Sequence, residues 1–287
     1  MPNPLAVMTG ATSGIGEIAA KSLAANGVDL ILLCRTPQKG EALRQTIQAA
    51  TPDARITVME CHMDRLSTVA DCGRRIAAEH PNIDLLINNA GTAEMAFSLT
   101  EDGIEKTFAV NHMSHFVLTH HLLPALQRAG AKDGARIVHT SSEAHYIGSE
   151  KCLDDVNFEQ RRYFVLKSYA DSKLANVLFS NALARQCVGT GVVSNCFHPG
   201  GVATNIWPER HWYERWLFGF LKKTILITPE QGAKPLLHLA LDEEMGDTNG
   251  VFYFKMKQRR AKNLALDHRT QDRLWSLSED LAGPFLK

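Results

Sequence analysis

The 287 residues predict a doubly wound α/β fold, a parallel sheet with helices on both faces. Three observations carry that expectation. Short apolar runs alternate with longer segments of helical spacing from the start of the chain. A glycine-rich turn joins the first run to the first helix. No internal repeat, low-complexity tract or linker divides the chain, so a single domain over residues 1–287 is the simplest reading, with a core of ample size.

The strands are expected at LAVMT (5–9), VDLILLC (28–34), RITVMEC (55–61), IDLLINN (83–89), RIVHT (136–140) and VVSNCF (192–197), with GVFYF (250–254) as a last one. These runs are short, apolar and often β-branched, as strands covered on both faces must be. Between them lie helical patterns such as Ile15, Ile18, Ala19, Ser22 and Leu23, closed by Asn26–Gly27. Strand–helix–strand alternation requires right-handed crossovers and hence parallel pairing. Two stretches break the rhythm: residues 143–168, and residues 201–228, which are rich in aromatics.

Composition narrows the function. Hydrophobic residues make up 45% and charged residues 22%, and the 31 basic and 31 acidic side chains give a formal net charge of +0. A soluble globular protein with no field for nucleic acid or an anionic membrane is expected. Six scattered cysteines form no CxxC pair and read as reduced thiols in a cytoplasmic protein. The N-terminus runs directly into a strand without the pattern of a signal peptide, and no apolar run is long enough to span a bilayer.

The turn TGATSGIG (9–16) sits between the first strand and the first helix. Gly10, Gly14 and Gly16 let the backbone turn tightly and approach a pyrophosphate at the helix N-terminus. The whole turn is the expected cradle, with Thr12, Ser13 and Ile15 beside the glycines. No phosphate-loop lysine motif is present. The second strand ends in LLCRT, where Cys34 occupies the place of the acidic residue that would bind a ribose 2′-hydroxyl. Arg35 follows it, and a guanidinium can pair with a 2′-phosphate. NADP(H) is therefore the expected cofactor, with NAD(H), and an idle Arg35, as the alternative.

Within SYADSKLANVLF (168–179), Tyr169 and Lys173 stand four residues apart and share a helix face. A free phenol ionises near pH 10, too high for acid–base work at neutral pH, and a neighbouring ammonium lowers that value.

Together, TGATSGIG, NNAG (88–91), Asn111 in FAVNHMSHF, Ser142 in HTSSEAH, YADSK (169–173) and HPGGVAT (198–204) resemble the short-chain dehydrogenase/reductase family in order and spacing. SLTEDGIEKTFAVNHMSHFVLT, YADSKLANVLFSNALAR and RLWSLSEDLAG resemble its retinol dehydrogenase-like branch, which also looks like the oxidoreductase part of WW-domain oxidoreductases. The resemblance implies a Rossmann-type sheet of about seven strands in the order 3-2-1-4-5-6-7. It implies alcohol–carbonyl chemistry with a nicotinamide cofactor, and Asn111, Ser142, Tyr169 and Lys173 as the catalytic residues. Tyr169 would exchange a proton with substrate oxygen while a hydride moves. Lys173 would lower the Tyr169 pKa and hold the nicotinamide ribose, Ser142 would stabilise the developing alkoxide, and Asn111 would hold a water leading from Lys173 to solvent. Ser142 is preferred to Ser141, whose expected role is a strand-end hydrogen bond.

By position, Asn89, Ala90 and Gly91 would pass beneath the adenosine ribose. Pro199, Gly200, Val202 and Thr204 would meet the nicotinamide end. Where the family has Asp-Leu after the third strand, this chain has His62–Met63, so either His62 replaces the acid or the loop shifts to use Asp64. Trp207, Trp212 and Trp216 belong to an aromatic lid at 201–228 suited to an apolar aldehyde, ketone or alcohol. A subunit contact, or a weak membrane-surface contact at 216–227, are its other readings. Either Glu143 or Glu94 would give the pocket a polar or cation-tolerant corner. His112, His115, His120 and His121 lack the carboxylates of a metal site and are expected to be structural. The residues between Ser142 and Tyr169 would cover a helix face used for dimerisation in relatives, which leaves monomer and homodimer both open. The competitor from another class is a non-catalytic NADP(H) sensor, against which the four intact catalytic positions argue.

Overall fold

The computed structural model of the protein describes residues 3–201 and 227–287. Seven parallel strands form at the predicted places: β1 (Leu5–Thr9), β2 (Asp29–Cys34), β3 (Ile56–Glu60), β4 (Leu85–Asn88), β5 (Ala135–Thr140), β6 (Val192–His198) and β7 (Phe252–Phe254). An eighth, β8 (Lys257–Arg259), pairs antiparallel with β7. The sheet order is β3-β2-β1-β4-β5-β6-β7-β8. β8 is an addition to the expected order. Its KQR sequence is exposed and polar, so no apolar pattern announces it.

Residues alternate between two cores. Val7, Ile31, Leu33, Leu86 and Ile137 point to one side, where they meet α3 (Leu66–Glu79), α5 (Ser114–Asp133) and α6 (Val165–Gln186). Ala6, Met8, Leu30, Leu32 and Ile87 point to the other, against α1 (Gly14–Ala25), α2 (Pro37–Ala50) and α7 (Pro229–Leu241). Burial on both faces is why these strands read as unbroken apolar runs. A one-turn helix, α4 (Lys106–Phe108), passes through a π-helical turn (Ala109–Met113) into α5.

The C-terminal segment, α8 (Asn263–Leu266) and α9 (His268–Ala282), lies over α5 and α6. Trp275 packs edge-on to Phe116, with ring centres 5.1 Å apart. The histidines expected to be structural hold this segment. His112 Nε2 is 2.8 Å from Ser278 Oγ, while His120 and His121 donate to the Leu286 and Phe285 carbonyls. The 143–164 segment also packs on α6, through Asp171 Oδ1, which accepts the Ser149 N–H at 2.9 Å. Among the described residues no helix is long and apolar enough to cross a membrane.

Parallel strands bring all their C-terminal ends to one edge. The strand order reverses between β1 and β4, opening a crevice at that edge. The glycine turn, Arg35, Asp64, the 89–91 loop, Ser142, Pro199 and Gly200 all follow strand ends at this edge, while Asn111, Tyr169 and Lys173 come from helical segments.

Candidate active site

The glycine turn is shaped by what approaches it. Gly10 and Gly14 take φ of +67° and +56°, the left-handed region that favours glycine. A Cβ on Gly16 would sit 2.0 Å from the Gly10 carbonyl oxygen, so the first turn of α1 closes directly onto the loop. Ser13 caps α1 without spending its side chain on a cap hydrogen bond, leaving the helix N-terminus open to an anion. Arg35 stands exposed just past the end of β2.

Asn89 stitches this turn to the sheet. Its Nδ2 donates to the Gly10 carbonyl at 3.0 Å, and its Oδ1 accepts from Thr140 Oγ1 at 3.0 Å. The expected contact under the ribose therefore falls to the backbone from Asn89 to Gly91, since the Asn89 side chain is occupied. Thr9, which the sequence reading passed over, is a hub. Its Oγ1 accepts the N–H groups of Asn89 and Ala90 at 2.9 and 3.0 Å and lies 3.0 Å from His115 Nε2. His115 Nδ1 donates to the Asn111 carbonyl at 3.0 Å. That fixes the neutral tautomer, with Nε2 accepting from Thr9, and burial holds the ring's pKa down at about 3.

Asn111 sits inside the π-helical turn, a local irregularity frequent at functional sites. Its Nδ2 donates to the Thr92 carbonyl and to Ser172 Oγ, both at 2.9 Å, and its Oδ1 accepts the Thr92 N–H at 2.7 Å. The side chain thus clamps the loop after β4. A Cβ on Gly91 would lie 3.2 Å from Asn111 Oδ1 and 3.4 Å from Lys173 Nζ, so these two groups border the same small space.

Ser142 and Tyr169 meet. The Ser142 oxygen accepts the Ala144 N–H at 3.1 Å, which leaves its own O–H to donate to the Tyr169 oxygen. Ser141 instead donates to the Lys173 carbonyl at 2.9 Å, the strand-end bond expected of it. Lys173 is 1% exposed. Its Nζ donates to the Thr140 carbonyl at 3.0 Å and stands 5.6 Å from the centre of the Tyr169 ring. Burial lowers its pKa to about 8. Lys173 does not lower the Tyr169 pKa as its spacing led one to expect. Burial raises the phenol to about 12, and the Ser142 hydrogen bond offsets this only in part.

The remaining candidates divide. Asp64 lies 3.8 Å from Lys106, and His62 Nε2 is 3.0 Å from Glu60. Glu94 accepts from Thr92 Oγ1 at 3.0 Å, and its carbonyl accepts the Tyr163 hydroxyl at 2.6 Å. Glu143 is held 3.4 Å from Arg259, so the polar corner it was expected to make is already matched by a cation from β8. Its Oε2 is also 3.5 Å from His198 Nε2, but burial keeps His198 at a pKa of about 4, so at neutral pH that contact is not an ion pair. Pro199 and Gly200 follow β6 at the same edge, Gly200 with φ +97°. Val202, Thr204, Trp207, Trp212 and Trp216, and with them nearly all of the expected lid, lie outside the described residues.

The sequence profile of the family described as short chain dehydrogenase matches residues 4–153. The chain belongs to that family. Over 283 residues it is 35% identical to retinol dehydrogenase 12 of Mus musculus, covering 99% of this chain and 87% of that one. Among solved structures, it superposes on an uncharacterized protein of Mycobacterium paratuberculosis with a TM-score of 0.78 and 32% identity, covering 99% and 96% of the two chains. L-sorbose reductase from Gluconobacter frateurii, complexed with NADPH and L-sorbose, shares the fold with a TM-score of 0.70 and 20% identity, over 88% and 95%. Family membership makes the protein an oxidoreductase, and the retinol dehydrogenase likeness runs through the whole chain.

Proposed function

We propose that the protein is an NADP(H)-dependent oxidoreductase that interconverts a hydrophobic alcohol and its aldehyde or ketone. The observation that carries this reading is the convergence of Ser142 and Lys173 on Tyr169 at the strand edge that also bears the glycine turn. That turn fits a dinucleotide, because its glycines pack the loop closely against the α1 N-terminus and the 89–90 backbone, and that N-terminus is uncapped by a side chain. Gly10, Thr12, Ser13, Gly14, Ile15 and Gly16 would hold the pyrophosphate and Arg35 the 2′-phosphate. Asp64 would lie at the adenine end, the Asn89–Gly91 backbone under the ribose, and Pro199 and Gly200 at the nicotinamide, with Val202 and Thr204 following in sequence. The cofactor, when bound, supplies or accepts the hydride.

The chain's own residues handle the proton. With its pKa at about 12, Tyr169 is a protonated phenol at neutral pH and donates to the oxygen of a carbonyl undergoing reduction. The Ser142 O–H orients that oxygen and stabilises its charge. The Lys173 ammonium has two N–H groups beyond the one given to Thr140, enough to hold the ribose and to pass a proton on. The space bordered by Asn111 Oδ1 and Lys173 Nζ suits a bridging water, which would complete the relay.

Exposed Met95, Phe97 and Leu99 after β4, and Phe164 and Leu166 at the start of α6, put apolar surface at this edge. They favour a hydrophobic substrate, and the name of retinol dehydrogenase 12 points the same way. The test is turnover of medium-chain aldehydes with NADPH and NADH, using wild-type protein and Arg35→Ala. NADPH preference that collapses in the variant is expected. Equal use of both cofactors, unchanged by the substitution, would refute the 2′-phosphate assignment, and no turnover with either would refute the enzymatic one.

A further inference from the structure

The hairpin of β7 and β8 is where the charge balance of the chain breaks down. Residues 255–262, KMKQRRAK, hold five basic side chains and no acid in a protein whose formal net charge is +0. A run of cations is ordinarily a solvated face, and three features set this one apart.

First, it is built into the site. Arg259 pairs with Glu143, the residue after Ser142, at 3.4 Å. The Tyr146 hydroxyl donates to the Arg260 carbonyl at 2.6 Å, and Lys262 Nζ donates to the Gly148 carbonyl at 2.6 Å. The hairpin is therefore tied to the turn that carries Ser142.

Second, the cations gather on one ring. Phe254 pairs in register with Lys257, so Lys257 and Arg259 project to the same side as Phe252 and Phe254, towards α6. The Arg259 guanidinium lies 4.7 Å from the Phe254 ring centre and Lys255 Nζ lies 5.2 Å from it. His198 stacks on the same ring at 5.0 Å, and its buried Nδ1 has no hydrogen-bond partner. Glu143 neutralises one of these cations. Lys255 and Lys257 meet no carboxylate among the described residues.

Third, the backbone is strained to place them. The two-residue loop Lys255–Met256 has φ of +50° and +59°, a geometry that asparagine and glycine adopt at far lower cost. A lysine at such a tip points to a role for its side chain.

We propose that Lys255 and Lys257, set around Phe254 beside the Ser142 turn, form a subsite for a carboxylate on the non-reacting part of the substrate. The apolar rim takes the hydrocarbon, the Ser142–Tyr169 pair takes the reacting oxygen, and the hairpin takes the anion. This rests on the proposed carbonyl–alcohol chemistry and narrows its substrate to oxo or hydroxy acids with an apolar body.

The test compares a medium-chain ω-oxo carboxylic acid with its methyl ester as substrates. The acid is expected to have a kcat/KM about five- to tenfold higher at low ionic strength, with the ratio falling towards one at high salt. The Lys255→Gln/Lys257→Gln variant is expected to lose the ratio. Equal kcat/KM for acid and ester in the wild-type protein would overturn the subsite while leaving the proposed function standing, and needs no variant to fold. A preference that survives in the double variant would move the anion elsewhere and overturn the assignment. Binding to phosphatidylglycerol vesicles without any acid preference would assign the cations to a lipid surface instead. Failure to reduce either compound would take down the proposed function and the subsite together.

Discussion

Three buried histidines make the fold acid-sensitive by a calculable amount. His112, His115 and His139 are at most 2% exposed, and burial lowers each from 6.5 to about 3. Their hydrogen bonds specify neutral rings. His115 donates from Nδ1 to Asn111 and accepts at Nε2 from Thr9. His139 accepts at Nδ1 from Asn88 Nδ2 and donates from Nε2 to Ser194. His112 donates to Ser278, whose own proton goes to the Leu274 carbonyl, while its Nδ1 has no partner. A second proton on any of these rings meets either a donor or an apolar wall. The unfolded chain therefore binds more protons than the folded one between about pH 6.5 and pH 3, and stability falls as the pH is lowered through that window. Three such groups lose about 4 kcal/mol together between pH 7 and pH 5.5, a large part of a typical domain's stability. Urea unfolding at half-unit steps of pH measures this directly, with a midpoint that should fall steeply below pH 6.5 at nearly constant slope. A loss under about 1 kcal/mol over that interval would mean that these rings take up protons in the folded state, and would refute the tautomers assigned above.

Two further outcomes follow from the roles proposed for Tyr169 and Lys173 in α6. Tyr169→Phe should lower turnover at least about a hundredfold while NADPH still binds, as stopped assays and fluorescence titration would report; retained turnover would displace Tyr169 as the acid–base group. Lys173 is a base with its pKa lowered to about 8, so its charge is complete well below that value and is lost as pH rises through it. Cofactor affinity that depends on this ammonium should weaken from pH 7 to pH 9.5 and become flat over that range in Lys173→Met.

The parallel strands were legible because burial on both faces leaves an unambiguous sequence mark. So was the alignment of Tyr169 with Lys173, because helical periodicity alone puts them on one face. Ser141 makes the strand-end hydrogen bond read for it, to the Lys173 carbonyl. What sequence left hidden depends on contacts distant along the chain. Thr9 and His115 are 106 residues apart and ordinary in their local setting, yet they join the glycine turn to the Asn111 carbonyl. Asn111 was assigned a water, but its amide first clamps Thr92, a role that only the approach of the loop after β4 creates. β8 has no apolar period, and its position is set by pairing to β7 and by the Glu143–Arg259 contact.

The phenol shows why charge states resist reading from spacing. A lysine four residues along the helix was expected to draw the Tyr169 pKa down, and the spacing does deliver Lys173 to the same site. Both groups are then taken out of water together, and desolvation disfavours the charged form of each: it raises the phenol to about 12 and lowers the ammonium to about 8. Their attraction cannot be realised in full, because it requires a phenolate that burial suppresses. The resting site accordingly holds a proton on Tyr169, the state that the proposed donation to a carbonyl oxygen requires. The same burial that defeats the simple reading of the motif favours the uncharged form of each of its two groups.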